Sequence, residues 1–430
     1  MVAHTRPARG RDDIYEPPRC SVLVCYLRFA QVRHETRYSF PVTSREMANL
    51  QRHPVVLEPY DQRWPLAFEA ENAKIRSALG HLVDGGVLDE LEHMGSTSVP
   101  GLLAKPTIDI MGRVSPYPPT EDTVRALERL GYTSHGEYGL AGRSYFTKGQ
   151  HEVHLHLVSF ESDHWERHLV FRDYLRVNPA ACTRYAALKA DLAARFLNDR
   201  PAYQIGKTEL ITGLDREAAV WHVEATGFTP IERLAVAFTG LEDDGSWAVS
   251  SGWALDLHLG APARYHDDVD VEVDRSKQAD IQRVLLEGGW RLDQVVEAGR
   301  YAPWARGESL NEGTHQVHAR KDGDFIDILF APRAPDAWLF RRDERVTLPL
   351  TRAVLWAELP GGTSIPYLAP EAVLLFKSRS SLGDKGEVGP RDKDDADFAR
   401  VLPQLNAEAR EWLAAALRLV HGEHAWLEEL

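Results

Sequence analysis

The most specific chemistry in this sequence is carried by three aspartates of its C-terminal half. In the run His266-Asp-Asp-Val-Asp-Val-Glu-Val273, the two-residue period of a strand sends Asp268, Asp270 and Glu272 to one face and Val269, Val271 and Val273 to the other. The valines belong to a core. Three carboxylates on one strand face repel one another, so an enclosed face needs a positive charge. Mg²⁺, which takes one or two protein carboxylates plus substrate phosphates, supplies it most economically. A solvated edge strand that carries acids for solubility is the alternative. Two neighbouring segments favour the metal. Ser250-Ser-Gly-Trp-Ala-Leu-Asp256 places a small-residue turn at a helix start, where free N–H groups and the helix dipole attract phosphate. Gly323-Asp-Phe-Ile-Asp-Ile-Leu-Phe330 sets a lone carboxylate, Asp327, in an apolar strand, where it is expensive if unpaired. A phosphate-binding turn, paired carboxylates and a third carboxylate on a later strand are the parts that two-metal phosphoryl transfer requires.

The N-terminal half holds a second constellation. Gly95 and Ser96 form another small-residue turn, with Lys105 close behind, and the strand that follows carries Asp109. His154 and His156 share a strand face and, with Asp109, suit a transition metal, which imidazole prefers over Mg²⁺; a pair of hydrogen-bonded structural histidines is the equal alternative. Lys105, Arg143, Arg172 and Lys207 offer an anion pocket, in which Asp173 can instead pair with one of the arginines. Lys377 either reaches a nucleotide phosphate or is a solvated helix lysine.

These residues have to be positioned by a mixed α/β (α+β) framework, because helical and strand periodicities alternate from residue 55 onward. Helices are predicted over 64–80, 165–177, 180–198 and 203–226, and strands over 107–114 and 154–160. Gly227 and Pro230 punctuate the chain there. Beyond them come a helix over 231–241, a strand near 247–250 and a helix over 253–259. Strands over 269–273 and 325–330 follow, with a helix over 276–288 between. A proline-rich crossing (Pro349, Pro360, Pro366, Pro370) leads to helices over 370–377, 392–402 and 407–420. The expected units are a loosely ordered tail over 1–46, one domain over 47–227 and a second over 228–430. Met47 is followed at once by well-patterned sequence, which makes the first 46 residues a candidate over-long start.

At 430 residues the chain exceeds what one core usually organises, consistent with two units. A net charge of −14 argues against nucleic acid or an anionic membrane as the main partner, since such proteins present a basic face. Cys20, Cys25 and Cys182 are too few and too scattered for a disulfide framework, and the apolar run over 21–32 is short and broken by Arg28. The cytoplasm is the expected location.

Taken together, Gly252-Trp-Ala-x-Asp256, Arg264, His266-Asp-Asp-x-Asp270 and the Asp327 strand resemble the aminoglycoside adenylyltransferases and related small nucleotidyltransferases of the polymerase-β-like superfamily. The resemblance covers about residues 230–425. It implies Asp268 and Asp270 as Mg²⁺ ligands, Asp327 as a third carboxylate that helps deprotonate an acceptor hydroxyl, and Ser251, Gly252 and Lys377 on the triphosphate. Consecutive glycines in that family are replaced here by Ser250-Ser-Gly252. His93-Met-Gly-Ser-Thr-Ser-Val-Pro-Gly101, Lys105-Pro-Thr-Ile-Asp109, His154-Leu-His156 and Phe171-Arg-Asp-Tyr-Leu-Arg176 are similar to the GrpB family over about residues 55–215. In that half Met111 stands where a nucleotidyltransferase would carry its second carboxylate, and histidines stand in place of the third. Two tandem nucleotidyltransferase-like domains are therefore implied. The expected function is Mg²⁺-dependent transfer of NMP from an NTP, ATP first, to a hydroxyl-bearing small molecule, with Gly95, Ser96, Lys105 and Lys207 of the first domain as further nucleotide contacts. Nucleotide sensing without turnover, or a toxin/antitoxin-type transfer to RNA or protein, remains open.

Overall fold

A computed structural model of the chain describes residues 54–80, 87–160, 162–241, 244–266, 268–297, 300–378 and 391–430. The readings made for residues 1–46, for Cys20 and Cys25 and for Asp267 lie outside those residues.

The first half opens with helix α1 (Arg63–Leu79) and strands β1 (Val87–Met94) and β2 (Ile108–Ser115). Helix α2 (Glu121–Arg129) and strands β3 (Tyr132–Ser134), β4 (Arg143–Lys148) and β5 (Val153–Val158) follow. Four helices then run in succession: α3 (Asp163–Val177), α4 (Pro179–Arg195), α5 (Arg200–Gly206) and α6 (Thr208–Thr226). The strands form one sheet in the order β1-β2-β5-β4-β3, with β2 and β5 parallel at its centre. Phe68 and Ile75 of α1, Ile110 of β2, Phe146 of β4 and Leu155 of β5 share its core.

The second half begins with α7 (Thr229–Ala237), β6 (Trp247–Val249), α8 (Ser251–Leu259), β7 (Val269–Asp274) and α9 (Gln278–Glu287). Strands β8 (Arg291–Glu297), β9 (Arg300–Pro303), β10 (Gln316–Lys321) and β11 (Asp324–Ala331) come next, then the short β12 (Arg333–Ala334), β13 (Ala337–Leu339) and β14 (Thr347–Pro349). A one-turn helix α10 (Leu350–Ala353), the pair β15 (Val354–Glu358) and β16 (Ser364–Leu368), and helices α11 (Pro370–Lys377), α12 (Asp392–Val401) and α13 (Ala407–His421) complete it. Eight strands make one sheet, β15-β16-β6-β7-β11-β10-β8-β9, and again the central pair, β7 and β11, is parallel. Val271 and Val273 of β7 are buried with Ile328 and Phe330 of β11 under Leu255 and Leu374, as the valine alternation requires. Each half is thus a mixed sheet flanked by helices, with a parallel strand pair near the middle of the sheet. No helix among the described residues is long and apolar enough to cross a membrane.

Several boundaries differ from the sequence expectation for local reasons. The helix predicted over 203–226 is two helices broken at Lys207; Gly206 lies so close to α4 that a Cβ there would come within 2.6 Å of Leu192 Cδ2. Pro230 does not separate units but sits in the first turn of α7, where its missing N–H has no intrahelical partner to lose. The proline-rich crossing conceals β14, β15 and β16, with Pro349 and Pro366 inside strands.

Candidate active site

Asp270 of β7 and Asp327 of β11 face each other in parallel register, and Asp268 immediately precedes β7. Each of the three offers a carboxylate oxygen, and those oxygens all lie within 4.8 Å of one another. An all-oxygen donor set of this kind suits Mg²⁺. Burial holds the Asp270 carboxyl above its ordinary range, partly offset by a hydrogen bond from Ser251 and by the charges of Lys377, Lys393 and Arg264. Asp327 accepts a hydrogen bond from Gln316 Nε2 at 2.7 Å, and His318 Nε2 stands 3.7 Å from its other oxygen. Burial, with the nearby Arg320 charge, pushes His318 down to about 3, so it is neutral at physiological pH.

The turn between β6 and α8 closes on these carboxylates. The Ser250 N–H donates to the Asp270 carbonyl at 2.8 Å, and the Trp253 indole N–H donates to the Asp268 carbonyl at 2.9 Å. Ser251 adopts a left-handed φ of 52°, a sterically costly choice for a residue with a Cβ. At Gly252 a Cβ would fall 2.2 Å from His266 Cε1 and 2.5 Å from Arg264 Nη2, so this single glycine is what lets the turn approach the His266 segment.

Glu272, on the same strand face as Asp268 and Asp270, is used differently. Its carboxylate is 3% exposed and accepts from Trp338 Nε1 at 2.8 Å, with Arg333 Nη2 at 3.5 Å, so its negative charge is balanced away from the aspartates. Burial raises its pKa to about 6. A raised carboxyl pKa contributes stability that is complete below the ordinary value of 4.5 and is lost as pH rises through about 6. Glu272→Gln is therefore expected to leave nucleotidyl transfer unchanged and to flatten the fall in stability between pH 5 and 7 of about that origin, checked by denaturation at a series of pH values. A loss of transfer with the fold intact would add Glu272 to the metal-binding set.

A network of buried charge backs the site. Lys377 is not a solvated helix lysine: it is 6% exposed and lies 3.1 Å from Asp394 and 2.9 Å from Asp397 of α12. Arg264 Nη2 also pairs with Asp397, at 3.2 Å. Asp256, fully buried, accepts from His266 Nε2 at 2.7 Å, from the Ala263 N–H at 3.2 Å and from Arg400. Burial first, then the charge of Arg264, lowers His266 to about 4. Asp256 is thus a strut that fixes α8, the His266 segment and α12 relative to one another.

The cleft so formed has a volume of about 290 Å³ and is walled from both halves of the chain. Asp268, Asp270, Asp327, Ser251, Arg264 and Lys377 line one side; Arg113, Phe160, Trp165 and Glu166 of the first half line the other. Phe160 is held between two guanidinium groups, with Arg320 3.9 Å and Arg113 5.5 Å from its ring centre. Gln316 and His318 were missed by the sequence reading, although Gln316-Val-His-Ala-Arg320 alternates as a strand beside Asp327 and could have revealed them. Arg113, Phe160 and Trp165 carry no local signal.

In the first half, the turn and the candidate ligands also converge. Gly95 has φ 72°, and a Cβ there would lie 2.5 Å from Asp109 Oδ2. Asp109 sits beside His154 in parallel register, and Lys105 and Lys207 are near enough for Asp109 to act on their charge. Ser96 belongs to the same turn and is a hydrogen-bond neighbour of Tyr185. Arg172 drops out of the anion pocket, because Glu92, Asp173 and the His93 carbonyl take its guanidinium. Arg143 is anchored on the Glu137 and Tyr138 carbonyls.

Comparison with known proteins finds two families in tandem. Residues 54–217 match the GrpB protein family, and residues 240–401 match the family described as aminoglycoside-2''-adenylyltransferase. The UPF0157 protein YqkA of Bacillus subtilis (strain 168) is 36% identical over 164 residues, 38% of this chain and 46% of that protein, so the chain spans less than half of this relative. A UPF0157 protein of Halalkalibacterium halodurans is 34% identical over 165 residues, 38% of this chain and 82% of its own length. Among solved structures, ANT(2'')-Ia in complex with adenylyl-2''-tobramycin is similar at 18% identity, covering 44% of this chain and 95% of that one, with a TM-score of 0.30.

Proposed function

Because the chain belongs to the GrpB family through residues 54–217 and joins to it a domain that resembles aminoglycoside adenylyltransferases, we propose that its second half transfers a nucleotidyl group from an NTP, ATP first, to a hydroxyl of a small-molecule acceptor. The single observation that carries this reading is the convergence of Asp268, Asp270 and Asp327 within 4.8 Å beside the Ser251-Gly252 turn. In this reading the units divide near Gly227, where a positive φ ends α6.

Asp268, Asp270 and Asp327 would hold the divalent cation, Mg²⁺, which when bound supplies charge neutralisation for the attacking and departing oxygens. The backbone of Ser251 and Gly252 receives the triphosphate, and Arg264 and Lys377 line the same side of the cleft. The acceptor hydroxyl approaches in line with the α-phosphorus: its oxygen forms the new P–O bond, the bond to the β-phosphate oxygen breaks, and pyrophosphate departs. Asp327 takes the hydroxyl proton, while Gln316 keeps its carboxylate in one orientation. Because residues 240–401 match the aminoglycoside-2''-adenylyltransferase family, amine-bearing aminocyclitols are the first acceptors to try.

The test is to incubate the full chain with Mg²⁺, labelled NTPs and a panel of aminoglycosides, amines, RNA and proteins, beside an Asp268→Ala/Asp270→Ala variant. Label moved to a small molecule by the wild type and not by the variant is the expected result. Nucleotide binding without transfer, or transfer that survives the double substitution, overturns the reading.

A further inference from the structure

The first unit repeats the central strand pair of the second but changes its donor atoms. Parallel β2 and β5 set Asp109 beside His154 and Met111 beside His156, as β7 and β11 set Asp270 beside Asp327. Asp109, His154 and His156 each offer one ligand atom, all within 4.8 Å of one another, so oxygen-only chemistry gives way to two nitrogens and one oxygen.

Two satisfied structural histidines do not explain this geometry. His154 Nδ1 lies 3.0 Å from Asp109 Oδ1, an ordinary hydrogen bond. His156 Nε2 points toward the same oxygen at 4.0 Å, beyond hydrogen-bonding range, and is enclosed with no hydrogen-bond partner. Arg143 Nη1, which can only donate, stands 3.5 Å from His156 Nδ1, at the limit of hydrogen-bonding range, so the ring's other nitrogen is the one left facing Asp109 without a partner. With metal–ligand bonds of about 2.0–2.2 Å, neighbouring ligands of one tetrahedral ion stand roughly 3.3–3.6 Å apart, between the two distances seen. The Tyr145 ring, 5.4 and 5.1 Å from the two imidazoles, restrains both.

We propose that Asp109, His154 and His156 bind one first-row transition-metal ion of the Zn²⁺ type, with a coordination position left open. Two imidazoles and one carboxylate that leave a position free are the donor set of ligand-accepting zinc sites, and they disfavour Mg²⁺. The site is separate from the transfer cleft and stands or falls without it.

The test uses the full chain carrying Asp268→Ala/Asp270→Ala, so that the other carboxylates contribute nothing. Stripped of metal and titrated with Co²⁺, it should bind one equivalent, develop the visible absorption of nitrogen-ligated Co²⁺, and keep it against excess Mg²⁺. His154→Gln and His156→Gln should each weaken Co²⁺ and Zn²⁺ binding at least about tenfold. If either histidine variant misfolds, a rise in the parent's melting temperature on adding Zn²⁺ serves in its place. No Co²⁺ bound, displacement by Mg²⁺, unchanged affinity in a folded histidine variant, or no Zn²⁺-dependent rise in melting temperature overturns the metal site.

Discussion

Asp327→Asn is expected to lower nucleotidyl transfer by about 10³-fold while leaving the protein folded, because a positioned general base contributes on the order of 10²–10⁴. Asparagine keeps the shape of the side chain and still accepts the hydrogen bond from Gln316, which now stands at 2.7 Å. It cannot accept the acceptor's proton, and it offers a cation no charge. Labelled NTP should therefore still bind, through the turn at Ser251 and Gly252, with the loss falling on turnover. The acid side of Mg²⁺ binding supplies a second reading of the same site. In the metal-free site burial holds Asp270 above the ordinary carboxylate value of 3.8, so the cation must displace a proton that is held to higher pH than on an exposed aspartate. The affinity for Mg²⁺, measured across pH 4 to 8, should fall on the acid side. An Asp327→Asn protein that turns over at the wild-type rate would remove this carboxylate from the mechanism.

The reason Asp327 was legible in the sequence is that it is a misfit. A lone acid between Phe325, Ile326, Ile328 and Leu329 has to be explained by a partner, and the strand period of Val269, Val271 and Val273 says which face of β7 that partner occupies. The same period could not tell Glu272 from Asp268 and Asp270, because what separates them is Trp338 and Arg333, residues more than sixty positions away. Lys377 was ambiguous for a similar reason: the helix pattern places it at the end of α11, but only the packing of α12 buries it. The strands within the proline-rich crossing were hidden because proline removes a donor and normally argues against a strand; here Pro349 ends the edge strand β14, while Pro366 lies in β16 between β15 and β6. The wall that Arg113, Phe160 and Trp165 give the cleft could not be read at all. It is made by contact between segments with no shared pattern, and Phe160 owes its role to Arg320, which lies in the other half.

Lys377→Met should destabilise the second unit by about 3–5 kcal/mol, the usual result of removing one partner from a buried ion pair. The substitution keeps the length and the apolar stem of the side chain, so packing against α12 and α13 is largely retained and the effect isolates the charge. Asp394 and Asp397 are left with Arg391, Arg264 and Arg400 as their remaining partners. Both carboxyls are held below the ordinary value of 3.8, Asp394 by Arg391 and Lys377 and Asp397 chiefly by Arg264 and Lys377, against the opposing effect of burial. A depressed carboxyl contributes stability that is present above the ordinary value and is lost as pH falls toward the folded one. Wild-type stability from this cluster is therefore full at pH 7 and declines below about pH 4. In the variant the carboxylates are less well compensated, so its deficit is largest at neutral pH and narrows as acid protonates them. Adding Asp394→Asn to Lys377→Met should recover part of the loss, since it removes a charge that no longer has its partner. Urea unfolding of the three proteins at pH 7 and pH 4.5, followed by the fluorescence of Trp426 and its neighbours beside α12, decides the matter. A deficit that is independent of pH, or a double variant no better than the single one, would mean that Lys377 holds α11 and α12 together by its hydrocarbon stem rather than by its charge.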